Sequence, residues 1–488
     1  MNVFLRYEIT ARELDANILT GLIAASRGHR AIVCDWPMMM RGILLRRRQP
    51  GFVHMNSLTP GKSTLIFHRI FKFCGYRISS MDQEAGIQRL SYEDFANVRF
   101  DEQTVSSADL VFCWGPDDYD VLRQLYPEHS AKIIMSGSPR VDLWRSTFSS
   151  IYASSEHVIE PFVLIVSSTN HTLLSSRLHE RLNSRRRSGE FDRNPEREAQ
   201  LVGMYKEGAA LTLAYFELIS FLSMNYPELA IIVRAHPSED PEISRGILGG
   251  IDRVRVDTET PISQLIRDSV AVILSGSTVA LETVMSGKPL ISFQPTETPW
   301  RDLGYADGLG IQAKTVEEVH TILSEVLNTR HKMDFKPVPE GAERKLLQKV
   351  YFEDGQLAAE RMVTAWEIAL KSDAQRPATG AIFKMPMKEL QYFFSSAFPF
   401  LNVLFARNGA LTEALSPSRN YKRPPLKRKI VAARVEKMRS VLGLKGSVHY
   451  RFRGRRGLVI EPCSDSNRGG WFAKFLGSTT ASTNRGFG

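Results

Sequence analysis

Two stretches decide the fold of this sequence: LAIIVRAHPSED at residues 229–240 and VAVILSGSTVALETVMSGKPLISF at residues 270–293. Each opens with a nearly continuous apolar run and then turns polar, which is typical of a strand buried on both faces of a parallel sheet. A helical pattern, VALETVMSG, follows the second run, ends at Gly287 and leads into another apolar run, PLISF. The spacing therefore predicts strand, helix and strand of a parallel α/β layer.

The polar residues after these strands predict a ligand site, because ligands of open α/β sheets bind beyond the carboxyl ends of the strands. Ser277 or Thr278 is placed to cap the helix, where backbone N–H groups and the helix dipole favour a phosphate. His236 adds a donor, and Glu282 is placed to accept hydrogen bonds from ribose hydroxyls. An ordinary cap and a solvated carboxylate explain each residue singly, whereas the combination predicts a nucleotide site. Its candidate residues are Arg234, His236, Pro237, Ser275, Gly276, Ser277, Thr278 and Glu282.

The alternation of apolar runs and amphipathic stretches extends in both directions and predicts an α/β protein with two Rossmann-like domains. The first half has the strand signals VFLRY (3–7), AIVCD (31–35), LVFCW (110–114) and KIIMSG (132–137), and FVLIVSS (162–168) opens the second half. Residues 150–160 lack periodicity and mark the boundary. We predict domains at 1–155 and 156–372, with parallel sheets and a cleft between them, and a partly disordered extension at 373–488.

The net charge of +10 at pH 7 is concentrated near the carboxyl terminus. Between Arg419 and Arg456 there are fourteen Lys and Arg residues against one acid, Glu436. The adjoining segment ELQYFFSSAFPFLNVLFA (389–406) is rich in aromatic residues. This pairing favours an anionic membrane surface as the partner of the extension over nucleic acid. A solvated, disordered tail is the alternative.

The composition, 43% hydrophobic and 24% charged, is that of a soluble globular protein. No run approaches the 18 apolar residues of a membrane span, and MNVFLRYEIT lacks the features of a signal peptide. Four cysteines are scattered without a CxxC pair, which fits a reducing compartment. We expect a cytoplasmic protein, peripheral at the inner membrane through its basic extension.

The motifs resemble those of bacterial enzymes that assemble capsule and lipopolysaccharide. RAHPSED and ILSGSTVALETVMSGKPLISF are similar to the second domain of GT-B glycosyltransferases, in which sialyl- and Kdo-transferases hold the donor phosphate with an HP motif and a Ser/Thr motif. EITARELDANILTGLIAASRGH (8–29) and WGPDDYDVL (114–122) resemble the family of surface carbohydrate biosynthesis proteins. Ser138 stands where that family has Asn in a Gly-Asn-Pro-Arg segment.

The resemblance implies a GT-B-like, metal-independent and inverting transferase. It would take a sugar from a nucleotide donor, with a CMP-sugar favoured and a UDP-sugar left open, to a lipid-linked or growing surface polysaccharide. Such a reaction needs a carboxylate to accept the proton of the acceptor hydroxyl. The acidic segment MDQEAG (81–86) offers Glu84 as first candidate and Asp82 as second. Gln83 and Ala85 depart from the family pattern, and a solvated turn is the alternative.

Three further residues are candidates from their positions after strands. Glu8 and Arg12 follow the first strand and are predicted to bind acceptor hydroxyls; an ion pair between them is the alternative. Asn170 follows the strand at 162–168 and is predicted to line the donor pocket or to turn the chain. Other functions stay open: a UDP-sugar 2-epimerase sharing the fold, a CDP-polyol phosphotransferase, and a non-catalytic assembly protein. No cofactor or metal is expected besides the nucleotide-sugar substrate.

Overall fold

The computed structural model describes residues 1–45, 51–85, 92–152, 160–166, 175–187, 190–193, 195–235, 241–296, 307–329, 339, 341–353, 355–371, 385–397 and 425–463. Within these ranges two separate β-sheets, parallel apart from one hairpin, are flanked by helices. The predicted fold class, an α/β chain of two Rossmann-like domains in a GT-B-like arrangement, is confirmed.

The first sheet reverses its winding direction at its centre. Its strands are β1 Asn2–Arg6, β2 Arg30–Cys34, β3 Gly51–Met55, β4 Arg77–Met81, β5 Leu110–Cys113, β6 Ile133–Met135, β13 Val448–Arg453 and β14 Gly457–Pro462. They lie in the order β13-β14-β2-β1-β3-β4-β5-β6. The chain moves from β1 out to β2 and then returns to pair β3 with the other side of β1. The carboxyl ends of β1 and β3 therefore form a topological switch point, where open α/β sheets bind ligands.

The second sheet is entirely parallel. Its strands are β7 Phe162–Val166, β8 Ala230–Arg234, β9 Val254–Asp257, β10 Ala271–Leu274, β11 Leu290–Phe293 and β12 Ile311–Ala313. Their order is β12-β11-β10-β7-β8-β9, so this sheet reverses between β7 and β10. All five residues of β7 and all four of β10 are buried, as the continuous apolar runs predict.

The helices connect the strands and cover both sheets. In the first half they are α1 Thr10–Ser26, α2 Trp36–Leu45, α3 Lys62–Phe73, α4 Tyr92–Arg99, α5 Glu102–Ser107, α6 Pro116–Leu125 and α7 Pro139–Asp142. The second half has α8 Ser175–Arg187, α9 Glu190–Arg193, α10 Glu196–Asn225, α11 Pro241–Leu248, α12 Ile262–Asp268, α13 Val279–Met285 and α14 Val316–Thr329. After these come α15 Ala342–Lys349, α16 Ala358–Lys371, α17 Met387–Ala397 and α18 Arg428–Val441.

The chain returns to the first domain before residue 372, where the sequence places the end of the second domain. α16 packs against α1 and α7 of the first domain. Its Trp366 is fully buried there and donates a hydrogen bond from Nε1 to Ser79 Oγ on β4 at 2.9 Å. The structure thus assigns Ala358–Lys371 to the first domain by packing, because the apolar face of this helix finds its partners there.

Residues 425–463 are part of the first domain, whereas the sequence predicts a separate extension at 373–488. β14 pairs antiparallel with β2, and α18 packs against α1 and the short helix Ser146–Ile151. The side chains of Leu458, Val459 and Ile460 are fully buried. This apolar triplet covers an edge of the sheet that would otherwise expose unpaired backbone groups.

One described helix, α10, is long and apolar enough to cross a membrane by length and composition. Its second half packs into the core of the second domain through Leu211, Tyr215, Leu218 and Leu222. A core helix of an α/β domain meets the same criterion, and 33% of the most apolar stretch of α10 is buried.

If β14 is an integral part of the first sheet, shortening Ile460 must destabilise the whole domain. We expect Ile460→Ala to lower the free energy of unfolding by about 2–5 kcal/mol, because it leaves a cavity against α1. Ile430→Ala is the matched control, since Ile430 on α18 is 46% exposed. Chemical denaturation measures both, and equal losses would show that β14 is dispensable.

Candidate functional site

The carboxyl ends of the two sheets face each other, and charged side chains from both domains meet between them. Arg140 follows β6 of the first domain, and Glu282 lies on α13 after β10 of the second. The two groups interact electrostatically, and the Glu282 side chain also hydrogen-bonds with Trp144 of the first domain. The junction therefore brings together residues that follow β6 of the first domain and β10 of the second.

A buried carboxylate, Glu13, organises the first-domain side of this junction. Its Oε2 accepts hydrogen bonds from the backbone N–H groups of Glu8 at 2.5 Å and Ile9 at 3.3 Å. The same atom accepts from Asn56 Nδ2, just after β3, at 2.5 Å. Arg12 Nη2 donates to Glu13 Oε1 at 2.7 Å. One side chain thus joins the ends of β1 and β3 at the switch point.

The structure separates the two candidates for the catalytic base. Asp82 is buried and bound in a bidentate pair, with Arg99 Nε at 2.8 Å from Oδ2 and Nη2 at 3.1 Å from Oδ1. Burial raises the pKa of Asp82, while the hydrogen bonds and charge of Arg99 act against that rise. Glu84 has a side chain that is 43% exposed and lies 3.4 Å from guanidinium nitrogens of both Arg12 and Arg99. Asp82 is thus held in the interior by Arg99, and Glu84 is the more accessible of the two carboxylates.

Arg140 was not among the candidates, although its Gly-Ser-Pro-Arg segment is a signal in the sequence. Gly137 has φ +72°, and a Cβ there would lie 2.2 Å from the backbone oxygen of Tyr351. Only glycine fits this turn, which leads into the segment Ser138–Arg140 at the junction. Arg140 Nη1 donates to the Gln83 backbone oxygen at 3.2 Å, and its guanidinium lies 5.2 Å from the Trp114 ring centroid. Burial lowers the pKa of Arg140 to about 10, with the charge of Arg12 acting in the same direction.

Glu282 lies where the sequence predicts a ribose ligand, and in this arrangement it has protein partners. It is buried, and its carboxylate interacts with Ser263, Trp144, Arg140 and Arg267. Burial raises the pKa of Glu282, and these hydrogen bonds and charges oppose the rise. A nucleotide would therefore have to replace the contacts with Ser263 and Trp144 to reach this carboxylate.

The hydroxyl-rich turn Ser275–Thr278 lies directly before α13, as predicted. Its capping hydrogen bond is made by Ser277 and not by the N-cap residue. The helix begins at Val279, and its N-cap residue Thr278 has helical backbone angles without a side-chain capping bond. Ser277 Oγ instead accepts from the Val279 N–H at 3.3 Å. Gly276 has φ +61°, which turns the chain from β10 into the helix. Ser275 is buried directly after β10.

The remaining candidates have the following places. Arg234 at the end of β8 pairs with Asp257 at the end of β9, with Nη1 and Oδ1 3.2 Å apart. His236, Pro237 and Asn170 lie outside the described residues.

The predicted acceptor residues, Glu8 and Arg12, take part in different ion pairs. Glu8 pairs with Arg6 at 3.1 Å, whereas Arg12 pairs with Glu13 and reaches Glu84. The structure therefore brings Arg12 to the candidate base. Within the described part of the chain, no group of three or more His, Cys, Asp and Glu side chains is arranged to hold a metal ion.

The Asp82–Arg99 pair predicts a pH-dependent change in stability. Arg99→Ala leaves a buried carboxylate without its partner, and we expect a loss of about 3 kcal/mol at pH 8. The already raised pKa of Asp82 must rise further in this variant, so the side chain becomes neutral as the pH falls and the loss shrinks at pH 5. Chemical denaturation at both pH values measures this. The double variant Asp82→Asn/Arg99→Ala should lose the pH dependence, and an identical loss at both pH values in Arg99→Ala would contradict the assignment.

Comparisons with known proteins concern solved structures alone, since no protein-family model and no curated protein matches the chain. A putative UDP-N-acetylglucosamine 2-epimerase from Listeria monocytogenes is 14% identical over 77% of this chain and 98% of its own, with a TM-score of 0.47. The UDP-GlcNAc 2-epimerase from Methanocaldococcus jannaschii, solved with UDP-GlcNAc and UDP, is 12% identical over 75% and 100%, with a TM-score of 0.45. The pneumococcal O-GlcNAc transferase GtfA, solved with UDP and GlcNAc, is 11% identical over 69% and 59%, with a TM-score of 0.34. At these values the likeness bears on the fold alone and adds nothing to what the two sheets show.

Proposed function

We propose that this chain is an enzyme of nucleotide-sugar chemistry whose substrate binds at the domain junction. The observation that carries the proposal is the meeting of Arg140 and Arg12 with Glu84 and Glu282 beyond the carboxyl ends of both sheets. Two guanidinium groups suit a phosphate, one carboxylate suits ribose hydroxyls, and another suits a proton transfer. A nucleotide-sugar carries all three of these partners.

The phosphates of the substrate would lie between Arg140 and the Ser275–Thr278 turn. Arg140 is poorly solvated, so an anion that pairs with it gains more than it would from a fully hydrated arginine. The turn before α13 offers hydroxyls and the first N–H groups of the helix. His236 joins this set in our proposal because of its position after β8 in the sequence.

Glu84 is the residue that we propose moves the proton. It is accessible, and Arg12 and Arg99 lie on either side of its carboxylate. Asp82 has both of its oxygens committed to hydrogen bonds with Arg99 and the Glu84 N–H, so it positions the segment.

Two reactions fit this site, and they differ in the fate of the sugar. The HP and Ser/Thr motifs favour transfer of a sugar, by inversion and without a metal, to a surface polysaccharide acceptor at the cytoplasmic face of the membrane. The alternative is 2-epimerisation of a UDP-sugar, the reaction named for the similar structures from Listeria monocytogenes and Methanocaldococcus jannaschii. Transfer releases the nucleotide, whereas epimerisation leaves it attached to the isomerised sugar.

Nucleotide binding is the first test of the proposal. UDP, CDP or CMP at 100 times its dissociation constant should stabilise the protein by roughly 2.7 kcal/mol. Thermal-shift measurements should show that Arg140→Ala and Glu282→Gln each abolish this ligand-induced shift. Arg344→Ala is the control, because Arg344 on α15 is exposed and carries the same charge. No shift with any of the three nucleotides, or an equal shift in all variants, would overturn the proposal.

Product analysis separates the two reactions. We expect NMR of a reaction with UDP-GlcNAc alone to show an isomerised donor if the chain is an epimerase. A transferase should release the nucleotide when a glycan acceptor is added, with CMP-sugars tested in parallel. Glu84→Gln should lower either rate by about 100-fold or more, because the general base is removed. Glu93→Gln, at an exposed position on α4, is the matched control, and full activity of Glu84→Gln would contradict the assignment of the base.

A further inference from the structure

A second cationic site lies on the first domain, apart from the junction. A cavity of about 300 Å³ opens between α2 and the turn that joins β13 to β14. Its lining includes four arginines, Arg41, Arg453, Arg455 and Arg456, together with Asp35 and Met38. Four guanidinium groups around one carboxylate form a pocket of positive charge.

The lining of this pocket has more arginines than acids. Asp35 Oδ2 lies 3.8 Å from Arg456 Nη1. Arg41 Nη1 donates to the Ala397 backbone oxygen at 2.8 Å. Arg453 and Arg455 are both exposed. Arginine forks match the geometry of phosphate oxygens, which makes a phosphate the fitting ligand.

The turn that carries Arg453, Arg455 and Arg456 is fixed by hydrogen bonds before any ligand arrives. The Leu426 N–H donates to the Arg455 backbone oxygen at 2.9 Å, and Arg428 Nη2 donates to the Gly454 oxygen at 2.9 Å. Tyr7 Oη, at the end of β1, donates to the Arg456 oxygen at 2.8 Å. A pre-formed site loses less conformational entropy on binding.

Apolar surface lies next to the pocket, which favours a membrane lipid over a soluble phosphate as the ligand. α17 ends at Ala397, where Arg41 binds it, and exposes Met387, Tyr392 and Phe394, with Met387 78% exposed. Basic residues beside aromatic and aliphatic ones are characteristic of surfaces that lie on anionic bilayers.

We propose that this pocket binds the phosphodiester headgroup of an anionic phospholipid, and that the face formed by α2, α17 and the β13–β14 turn lies on a membrane. The site is independent of the reaction at the domain junction. Nucleic acid is disfavoured by the apolar neighbours, because a phosphate backbone offers no hydrocarbon for them to contact.

Vesicle co-sedimentation of the full chain tests the site. Phosphatidylcholine vesicles containing phosphatidylglycerol should bind the protein, and vesicles of phosphatidylcholine alone should not. Arg453→Ser/Arg455→Ser should lower the partition coefficient about 30-fold, since each arginine near an anionic surface contributes about fivefold. Arg197→Ser/Arg344→Ser, at exposed positions on α10 and α15, removes the same charge elsewhere and should bind as the unchanged protein does.

Two further experiments distinguish a lipid headgroup from a soluble phosphate and from nucleic acid. Soluble glycerol phosphate, at the same total phosphate as the vesicles, should fail to displace the protein from them. A duplex DNA fragment should bind no more weakly to the Arg453/Arg455 variant than to the control variant. Equal vesicle binding by both variants, displacement by glycerol phosphate, or a DNA affinity that depends on the two arginines would each overturn the proposal.

Discussion

The first-domain half of the site depends on one buried carboxylate. Glu13 accepts hydrogen bonds from two backbone N–H groups of the β1–α1 turn and from Asn56 after β3, and it holds Arg12. Burying a charge this deeply is unfavourable unless every lone pair has a donor, and here the donors are present. Arg12 also reaches Glu84. Glu13 therefore helps to position the proposed base through Arg12.

The second domain is held against this arrangement by charge and by stacking. Glu282 reaches Trp144 and Arg140 across the junction, and Arg267 lies over the ring of Tyr152 at 5.3 Å. The same ring has Arg434 from α18 at 5.6 Å from its centroid. The groups that would bind a nucleotide are therefore also groups that connect the domains. A ligand that replaces the contacts of Glu282 must act on the domain interface as well.

Local patterns in the sequence predict the strands of the second sheet. Features that depend on contacts between distant parts of the chain are not predicted. The strand at 229–235 is observed as Ala230–Arg234, and the run at 270–276 as Ala271–Leu274, because continuous apolar residues buried on both faces have few alternatives. β14 was missed because its short apolar run follows a cluster of arginines and its partner, β2, lies more than 400 residues earlier. Glu13 and Arg140 were missed for a related reason. Their importance comes from Asn56, Trp114 and Glu282, which only the folded chain brings near them.

The basic carboxyl-terminal segment is therefore both a structural element and a charged surface. Its buried side, Leu458 to Ile460, completes the first sheet and covers the edge at β2. Arg434 on α18 donates to Asp15 on α1 at 3.0 Å, and the Tyr152 hydroxyl donates to the same oxygen. Asp15 lies two residues after Glu13 on α1. The segment that contributes three arginines to the pocket therefore also stabilises the helix that carries Glu13. Its arginines thus divide into those that hold the fold, such as Arg434, and those left exposed at the turn, such as Arg453 and Arg455.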